Sequence, residues 1–327
     1  MSERPSEFEL IARYFAPLAG EGAFGLLDDA ATICPAPDCD LVLTKDMLVA
    51  GVHFFADDAP DLVARKALRV NLSDLAAKGA RPKGFMLGLG LPTDWQPDWL
   101  AAFAKGLGED RREYQCPLLG GDTVKTPGPV TISITAFGEV PAGRMVPRTT
   151  AQAGDAIFVT GTIGDSALGL RARLEPEAIW LKHLPKEHQD HLTKRYLLPE
   201  PRSVFASAVQ RHARAAMDIS DGFVGDLRKM MAHVGATIEL AAIPLSAAAR
   251  AAIEFAPALR EVALTGGDDY ELLMAVPQAA IEPLMIEARH LGQALTRVGT
   301  VTGERDVIFV DGEGKHCSFS QGSFVHF

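Results

Sequence analysis

The most constraining feature of this sequence is the repeated placement of aspartate directly after an apolar segment and beside Gly, Ser or Thr. In AAMDISDGFVGDL, residues 215–227, two carboxylates follow a strand pattern and precede a helix pattern. The arrangement recurs at Asp28, Asp29, Asp46, Asp74, Asp122, Asp165, Asp218, Asp221, Asp268 and Asp269. Aspartate often caps helices and turns, which explains most single cases. Capping does not explain the whole set, because unpaired carboxylates near a core are costly and repel one another.

Either basic side chains or divalent cations can compensate such carboxylates. Few basic residues lie near these segments, Lys45 being the clearest exception, so the pattern favours cations. Carboxylate and hydroxyl oxygens are ligands typical of Mg²⁺, which also binds substrate phosphates. Capping remains our interpretation of Asp165 and Asp226, and Asp226 is predicted to lie on the surface of the helix that follows.

Glycine-rich turns accompany several of these acids, in LLGGDT (118–123), FVTGTIGDS (158–166) and LTGGDD (264–269). Turn glycines let backbone N–H groups approach a phosphate closely, and helix N-termini favour anions. Acids, glycine turns and Mg²⁺ together predict a site for a nucleotide polyphosphate and metal-assisted phosphoryl chemistry.

Length and the order of elements predict two domains. The chain has 327 residues, and single cores rarely grow beyond about 250–300 residues. Strand patterns occur at 40–48, 129–140, 155–161, 270–277 and 306–312, and helix patterns at 61–80, 97–114 and 199–216. A stretch rich in Pro, Gly and Thr, 141–154, separates the two halves. We therefore predict domains at 1–150 and 151–327.

Composition and charge exclude several kinds of binding partner. The net charge is −10 and there is no basic stripe, which argues against nucleic acid or an anionic membrane surface as a partner. There is no apolar run of the roughly 20 residues that a membrane span needs, and the N-terminus lacks the apolar region of a secretion signal. Four scattered cysteines without CxxC spacing are typical of reduced thiols. These features predict a cytoplasmic protein.

Several familiar nucleotide and metal motifs are absent from the sequence. It contains no GxxxxGK[ST], no HRD and DFG set, no GxGxxG and no EF-hand loop. GDSALGL resembles the GDS motif of some serine hydrolases, but no partner histidine for Ser166 is evident.

The ordered motifs resemble those of the thiamine-monophosphate kinase family, which is related to aminoimidazole ribonucleotide synthetase. The matching blocks are LLDDAA, LTKDMLVAGVHF, ALRVNLSDLAAKGARP, LLGGDT, GDAIFVTGTIGDSALGL, AMDISDGFVGDL, LTGGDDYELL and a terminal HF. The resemblance runs from about Glu7 to Phe327. It implies an α/β (α+β) fold in two synthetase-like domains, a homodimer built by the N-terminal sheet, and ATP-dependent conversion of thiamine monophosphate to thiamine diphosphate.

The resemblance also implies the roles of particular residues. Mg²⁺ ligands would be Asp29, Thr44, Asp46, Asp74, Asp122, Asp218 and Asp221, with Asp29, Asp74 and Asp218 as the catalytic set. ATP would contact Gly121, Asp122, Arg148, Ser220 and Tyr114. Thiamine monophosphate would lie near His53 and Asp268, with Phe324 or Phe319 against its rings.

Three positions depart from the family pattern. Leu27 replaces a glycine before the Asp pair, Lys45 replaces a threonine, and Asp268 replaces a glutamate. At Lys45 only the backbone carbonyl could contact a metal ion.

The implied reaction is in-line transfer of the ATP γ-phosphoryl group with several Mg²⁺ ions. Two alternatives stay open: another ATP-using enzyme of the superfamily, and a non-catalytic module that binds Mg²⁺ and nucleotide. The selenide branch of the superfamily requires an N-terminal reactive Cys and the hydrogenase-maturation branch a C-terminal one, and this chain has neither.

Overall fold

The computed structural model describes residues 5–320 and 322, and the chain divides into two compact units. Unit 1 contains the residues up to Leu75 together with Ala80–Met145. Unit 2 contains Ala76–Gly79 and the chain from Val146 onward. Helices and strands occur together in both units, so the predicted α/β (α+β) fold class is confirmed.

Unit 1 is built on a four-stranded sheet in the order β1–β4–β2–β3. The strands are β1 (Cys39–Val49), β2 (Arg81–Pro92), β3 (Leu118–Thr126) and β4 (Thr131–Pro141). The helices are α1 (Glu7–Leu10), continued by a π-helical turn at Ile11–Phe15, α2 (Pro60–Ala77) and α3 (Pro97–Glu113). Strand β4 is antiparallel to β1 and β2, and β2 is parallel to β3.

The sheet of unit 1 has one buried face and one open face. Ile132 and Ile134 of β4 are 0 and 1 % exposed, and alternate residues of β2 are buried in the same way. Successive side chains of a strand point to opposite faces. The face opposite to the core therefore carries large apolar side chains that are 40–60 % exposed, namely Leu43, Met47, Met86 and Val124.

Unit 2 is built on a seven-stranded sheet in the order β11–β10–β7–β9–β5–β8–β6. Its strands are β5 (Ala156–Thr160), β6 (Ala215–Asp218), β7 (Gly235–Glu239), β8 (Leu272–Val276), β9 (Leu295–Thr302), β10 (Val307–Val310) and β11 (His316–Cys317). Its helices are α4 (Asp165–Leu174), α5 (Ile179–His183), α6 (Lys186–Leu197), α7 (Ala206–His212), α8 (Phe223–Met230), α9 (Ala247–Phe255), α10 (Leu259–Thr265) and α11 (Ile281–His290).

Both faces of the central strands of unit 2 are covered. Ile157 and Val159 of β5 belong to a buried cluster with side chains of α8, such as Phe223. Phe158 of the same strand belongs to a second cluster with side chains of α7 and α11, such as Val209. A strand buried on both faces requires a continuous apolar run, which explains the sequences AIFVT and LLMAV. No helix within the described part of the chain has both the length and the apolar character needed to cross a bilayer.

The buried position of β8, between β5 and β6, gives a test of the core. Leu273 is fully buried on β8, whereas Leu174 at the end of α4 is 59 % exposed. Leu273→Ala is expected to lower the free energy of unfolding by about 2–5 kcal/mol, because it leaves a cavity. Leu174→Ala is expected to change it by less than about 0.5 kcal/mol. Urea denaturation of both variants checks this, and equal effects would contradict the assignment of β8 to the core.

Candidate functional site

A cleft of about 430 Å³ in unit 1 lies beside two of the predicted acids. Asp29 and Asp122 both line it, as does Gly121 of β3. Glycine is required at position 121, because a Cβ atom there would lie 1.9 Å from the carbonyl oxygen of Leu87. Apolar side chains such as Phe8 form another part of the wall. Exposed carboxylates, close backbone and an apolar wall together suit a nucleotide bound with a cation.

A second group of predicted ligands joins β1 to α2. Thr44 and Asp46 lie on the same side of β1, and the Thr44 hydroxyl donates a short hydrogen bond to Asp74. The backbone N–H of Asp46 donates to Oδ1 of Asn71 at 3.2 Å. Lys45 is exposed and, by alternation along the strand, points to the opposite face. Thr44 and Asp46 therefore lie on the side of β1 that faces α2, where Thr44 contacts Asp74, and their role as metal ligands stays a prediction.

Asn71 was missed by reasoning from the sequence, although it is fully buried and fixes the backbone at Asp46. The available signal was its spacing: Asn71 precedes Asp74 by one helical turn in NLSD, so both side chains lie on the same face of α2.

His53 and Tyr114 each have a defined contact in unit 1. Nδ1 of His53 accepts a hydrogen bond from the backbone N–H of Val49 at 3.1 Å, so a neutral ring carries its proton on Nε2. The guanidinium of Arg69 lies 5.2 Å from the centroid of the Tyr114 ring. Burial raises the pKa of Tyr114, so its phenol stays protonated at neutral pH. Neither His53 nor Tyr114 is among the residues that line the cleft.

The turn that joins β6 to α8 in unit 2 carries three further predicted ligands, Asp218, Ser220 and Asp221. Asp218 ends β6 and is only 6 % exposed. Gly222 follows with a φ of 116°, and a Cβ atom there would lie 2.5 Å from the carbonyl oxygen of Thr265. Only glycine therefore fits between this turn and the end of α10.

Asp226 stabilises this turn from inside the protein. The side chain is fully buried, and its Oδ2 accepts hydrogen bonds from the backbone N–H groups of Ser220 and Asp221 at 3.0 and 2.9 Å. The prediction that Asp226 lies on the helix surface is wrong. Nζ of Lys229 donates to Oδ1 of Asp226 at 2.9 Å and makes a short hydrogen bond to Oδ2 of Asp221. Asp221 therefore has a basic partner, Lys229, which the small number of basic residues near the acidic segments did not lead us to expect.

Asp268 lies beside the same turn. Its backbone N–H donates to the carbonyl oxygen of Ser220, and the N–H of Tyr270 donates to that of Ile219, both at 2.8 Å. Asp268 has a φ of 71°, in the left-handed region that non-glycine residues seldom adopt. The hydroxyl of Tyr270 donates to Oδ1 of Asp268 at 3.3 Å. Asp268 and Ser220 are thus brought together.

The two acids that flank Tyr270 are structural. Asp269 is fully buried, and its Oδ2 accepts the backbone N–H of Gly164 at 2.7 Å. Burial raises the pKa of Asp269 well above its ordinary value. Glu271 is also fully buried and pairs with Arg202, whose Nε lies 2.6 Å from Oε2. Asp269 thus has donors within the fold, contrary to the expectation of a cation.

Asp165 does not cap its own helix, so that interpretation is wrong. Its buried carboxylate accepts hydrogen bonds from Thr162 at 2.6 Å and Ser246 at 2.5 Å, and contacts Nε2 of His191 at 3.1 Å. Ser166 is fully buried and its hydroxyl has no hydrogen-bond partner among the described residues. A buried hydroxyl without a base does not support a hydrolytic nucleophile.

The remaining predicted positions lie toward the ends of unit 2. Arg148 is exposed and follows Pro147, whose carbonyl accepts the N–H of Ala216 on β6 at 3.1 Å. Phe319 packs edge-on against Phe309 with ring centroids 4.9 Å apart. Phe324 lies outside the described residues.

Across residues 5–320 and 322, no three His, Cys, Asp or Glu side chains converge where they could hold a metal ion. The donor chemistry nonetheless fits Mg²⁺, because Thr44, Asp46 and Asp74 supply oxygen atoms on one side of β1 and Asp29 and Asp122 supply carboxylates at the cleft.

The sequence matches known protein families in both halves of the chain. The family model of the AIR synthase related protein N-terminal domain matches residues 27–140, and that of the C-terminal domain matches residues 152–312. Fold and matches together define an AIR synthase related protein.

Comparison with individual relatives shows which family within this class the chain belongs to. The chain is 41% identical to the thiamine-monophosphate kinase of Caulobacter vibrioides over 317 residues, which are 95% of this chain and 86% of that protein. A crystal structure of thiamine-monophosphate kinase from Stenotrophomonas maltophilia K279a is 36% identical, with a TM-score of 0.80 and coverage of 89% and 91% of the two chains. AaThiL complexed with AMPPCP and TMP is 29% identical, with a TM-score of 0.78 and coverage of 100% of both chains. The chain belongs to the thiamine-monophosphate kinase family, a family of enzymes, and the predicted membership is confirmed.

The partners of Asp165 predict a pH-dependent stability. Burial would raise the pKa of Asp165, but hydrogen bonds from His191, Ser246 and Thr162 outweigh it and hold the pKa below its ordinary value. A lowered carboxyl pKa stabilises the fold above the unfolded-state value of about 3.9, and the effect is lost as pH falls below it. Asp165→Asn should therefore lower the free energy of unfolding by about 1–3 kcal/mol at neutral pH.

That difference should shrink as pH falls below about 4. Urea denaturation at neutral and acidic pH measures it, with Asp190→Asn as a control because Asp190 forms an exposed pair with Lys186. A difference that is the same at both pH values would contradict this role of Asp165.

Proposed function

We propose that the protein transfers the γ-phosphoryl group of ATP to thiamine monophosphate and so forms thiamine diphosphate. The observation that carries this function is the unit 1 cleft, where Asp29, Gly121 and Asp122 meet beside an apolar wall. The 41% identity to a thiamine-monophosphate kinase supports the choice of acceptor. AaThiL complexed with AMPPCP and TMP, which matches this chain along its whole length, supports both substrates.

The proposed contacts follow the family motifs. Mg²⁺ would bind oxygen ligands of Asp29, Thr44, Asp46, Asp74, Asp122, Asp218 and Asp221. ATP would contact Gly121, Asp122, Arg148, Ser220 and Tyr114, and thiamine monophosphate would contact His53 and Asp268. When bound, Mg²⁺ neutralises the charge of the transferred phosphoryl group.

The acceptor determines what the side chains have to do. A phosphate oxygen of thiamine monophosphate is already anionic, so no strong general base is required. This oxygen forms a bond to the γ-phosphorus while the bond to the ADP oxygen breaks in line with it. The protein has to hold the two anions in line and offset their repulsion. The family motifs assign this task to the backbone at Gly121 and to the guanidinium of Arg148.

The direct test is ADP production by the purified protein with thiamine monophosphate, with thiamine and with no acceptor, each with and without Mg²⁺. ADP should form only with thiamine monophosphate and Mg²⁺ together. ATP binding without ADP formation would indicate a non-catalytic nucleotide module, and ADP formation with a different acceptor would indicate another member of the superfamily.

Asp74→Asn tests the carboxylate that Thr44 contacts. The amide keeps the shape of the side chain but loses its charge, so turnover should fall by at least about 100-fold with little change in stability. Asp98→Asn is the control, since Asp98 is exposed in the first turn of α3. Near-normal turnover of Asp74→Asn would remove Asp74 from the metal ligands.

We also propose that the open face of the unit 1 sheet forms a homodimer with a second copy of the chain. Exposed Leu43, Met47, Met86 and Val124 give this face an apolar surface that one unit alone leaves in water. A self-complementary apolar face of this kind is what a two-fold dimer buries.

Leu43→Glu tests the dimer. A carboxylate on this face should shift the protein from dimer to monomer, because burying a charge against the apolar side chains of the second copy is costly. Light scattering coupled to gel filtration measures the mass. Leu174→Glu, at an exposed leucine of unit 2, should leave the mass unchanged. A wild-type monomer, or an unchanged dimer in Leu43→Glu, would contradict this interface.

A further inference from the structure

Asp226 connects the turn at 220–221 to helix α8 through its two carboxylate oxygens. Oδ2 accepts both backbone N–H groups of the turn, at 3.0 Å from Ser220 and 2.9 Å from Asp221. Oδ1 accepts from Nζ of Lys229 at 2.9 Å. The carboxylate is fully buried, so water does not compete with these three donors for its oxygen atoms. The direction in which the turn presents the Asp221 side chain is therefore set by Asp226.

Lys229 makes a second contact from the same ammonium group. Nζ also donates to Oδ2 of Asp221, and both side chains are 37 % exposed. The ammonium thus lies between a buried carboxylate and a half-exposed one. Because Asp221 is open to solvent on its other side, its bond to Lys229 is the more easily broken of the two.

We propose that Lys229 is a resident counter-ion that competes with Mg²⁺ for Asp221, and that Asp226 is a positioning residue for the turn that retains Lys229 when the metal binds. This inference rests on the proposed function, which assigns Asp221 to the Mg²⁺ ligands. The ammonium occupies Oδ2 of Asp221, and its positive charge beside the carboxylate also repels a metal ion at the other oxygen. Lys229 therefore weakens metal binding while keeping the turn ordered before the metal arrives.

The direction of the effect distinguishes this role from the alternatives. A lysine that held ATP phosphates would strengthen binding, so its loss would weaken it. A purely structural lysine would change stability without a specific change in metal affinity. A competing lysine predicts tighter metal binding after its removal.

Mn²⁺ is the probe, titrated by electron paramagnetic resonance at constant ionic strength with and without AMPPCP. Lys229→Met keeps the length of the side chain and removes its charge. We expect roughly two- to fivefold tighter Mn²⁺ binding, because the pair it breaks is half-exposed. Arg228→Met is the matched control: it removes one positive charge from an exposed neighbouring position of α8 and should leave the affinity unchanged.

Asp226→Asn is the second variant in the Mn²⁺ titration. Its amide oxygen can still accept from the turn, but Lys229 loses its charged partner and stays on Asp221, so Mn²⁺ binding should weaken. Lys229→Met added to Asp226→Asn should then raise the affinity by a larger factor than in the wild type. Urea denaturation of each variant checks that the fold is retained.

Unchanged or weaker Mn²⁺ binding in Lys229→Met would overturn the competition. If the wild type binds no Mn²⁺ with or without AMPPCP, the metal site of the proposed function fails instead, so the two failures are distinguishable.

Discussion

Negative charge in and beside the turns that join buried strands to helices is the constraint on which the rest of this structure depends. A carboxylate in such a position needs donors, because burying it unpaired is costly. In unit 2 the fold supplies those donors itself: Asp226 takes two backbone N–H groups and Lys229, and Glu271 takes Thr160, Arg195 and Arg202. Other acids remain open to solvent, as Asp29 and Asp122 are at the unit 1 cleft. The buried, hydrogen-bonded acids fix the backbone, and the exposed acids are available to a ligand.

This division explains how departures from the family pattern can be accommodated. Lys45 lies on an exposed position of β1, and the alternation of the strand directs it away from the side that carries Thr44 and Asp46. Leu27 is 91 % exposed and lines the cleft next to Asp28, so a side chain at this position is accommodated at the surface. Asp268 keeps its place through backbone hydrogen bonds to the turn at Ser220, which do not depend on the length of its side chain.

Local patterns in the sequence predict much of the fold. Continuous apolar runs give β5 and β8, and the stripe at Val63, Ala67 and Val70 gives the buried side of α2. The helix predicted over 199–216 is mostly wrong: it is helical only at Ala206–His212 after a 3-10 turn, and the chain enters β6 at Ala215. Arg214 already pairs with Ala275 of β8 there, and a tertiary contact of this kind has no local signal.

Contacts between residues far apart in the sequence also limited what could be predicted of the candidate site. In the structure Thr44 contacts Asp74, and the backbone of Asp268 contacts that of Ser220, whereas the metal and substrate roles that the family motifs imply for these residues stay predictions. The donors of Asp269 come from more than 100 residues away, at Gly164 and Ser166, so its burial could not be predicted from its neighbours. Lys229 could have been predicted, because it follows Asp226 at the i,i+3 spacing of a helix.

The proposed reaction is direct phosphoryl transfer between two bound anions, and the fate of a label on the γ-phosphate of ATP tests it most directly. With thiamine monophosphate and Mg²⁺ present, the label should appear in the terminal phosphate of thiamine diphosphate, in an amount equal to the ADP formed and with none attached to the protein. Label recovered as inorganic phosphate or on the protein, with none in thiamine diphosphate, would contradict the account.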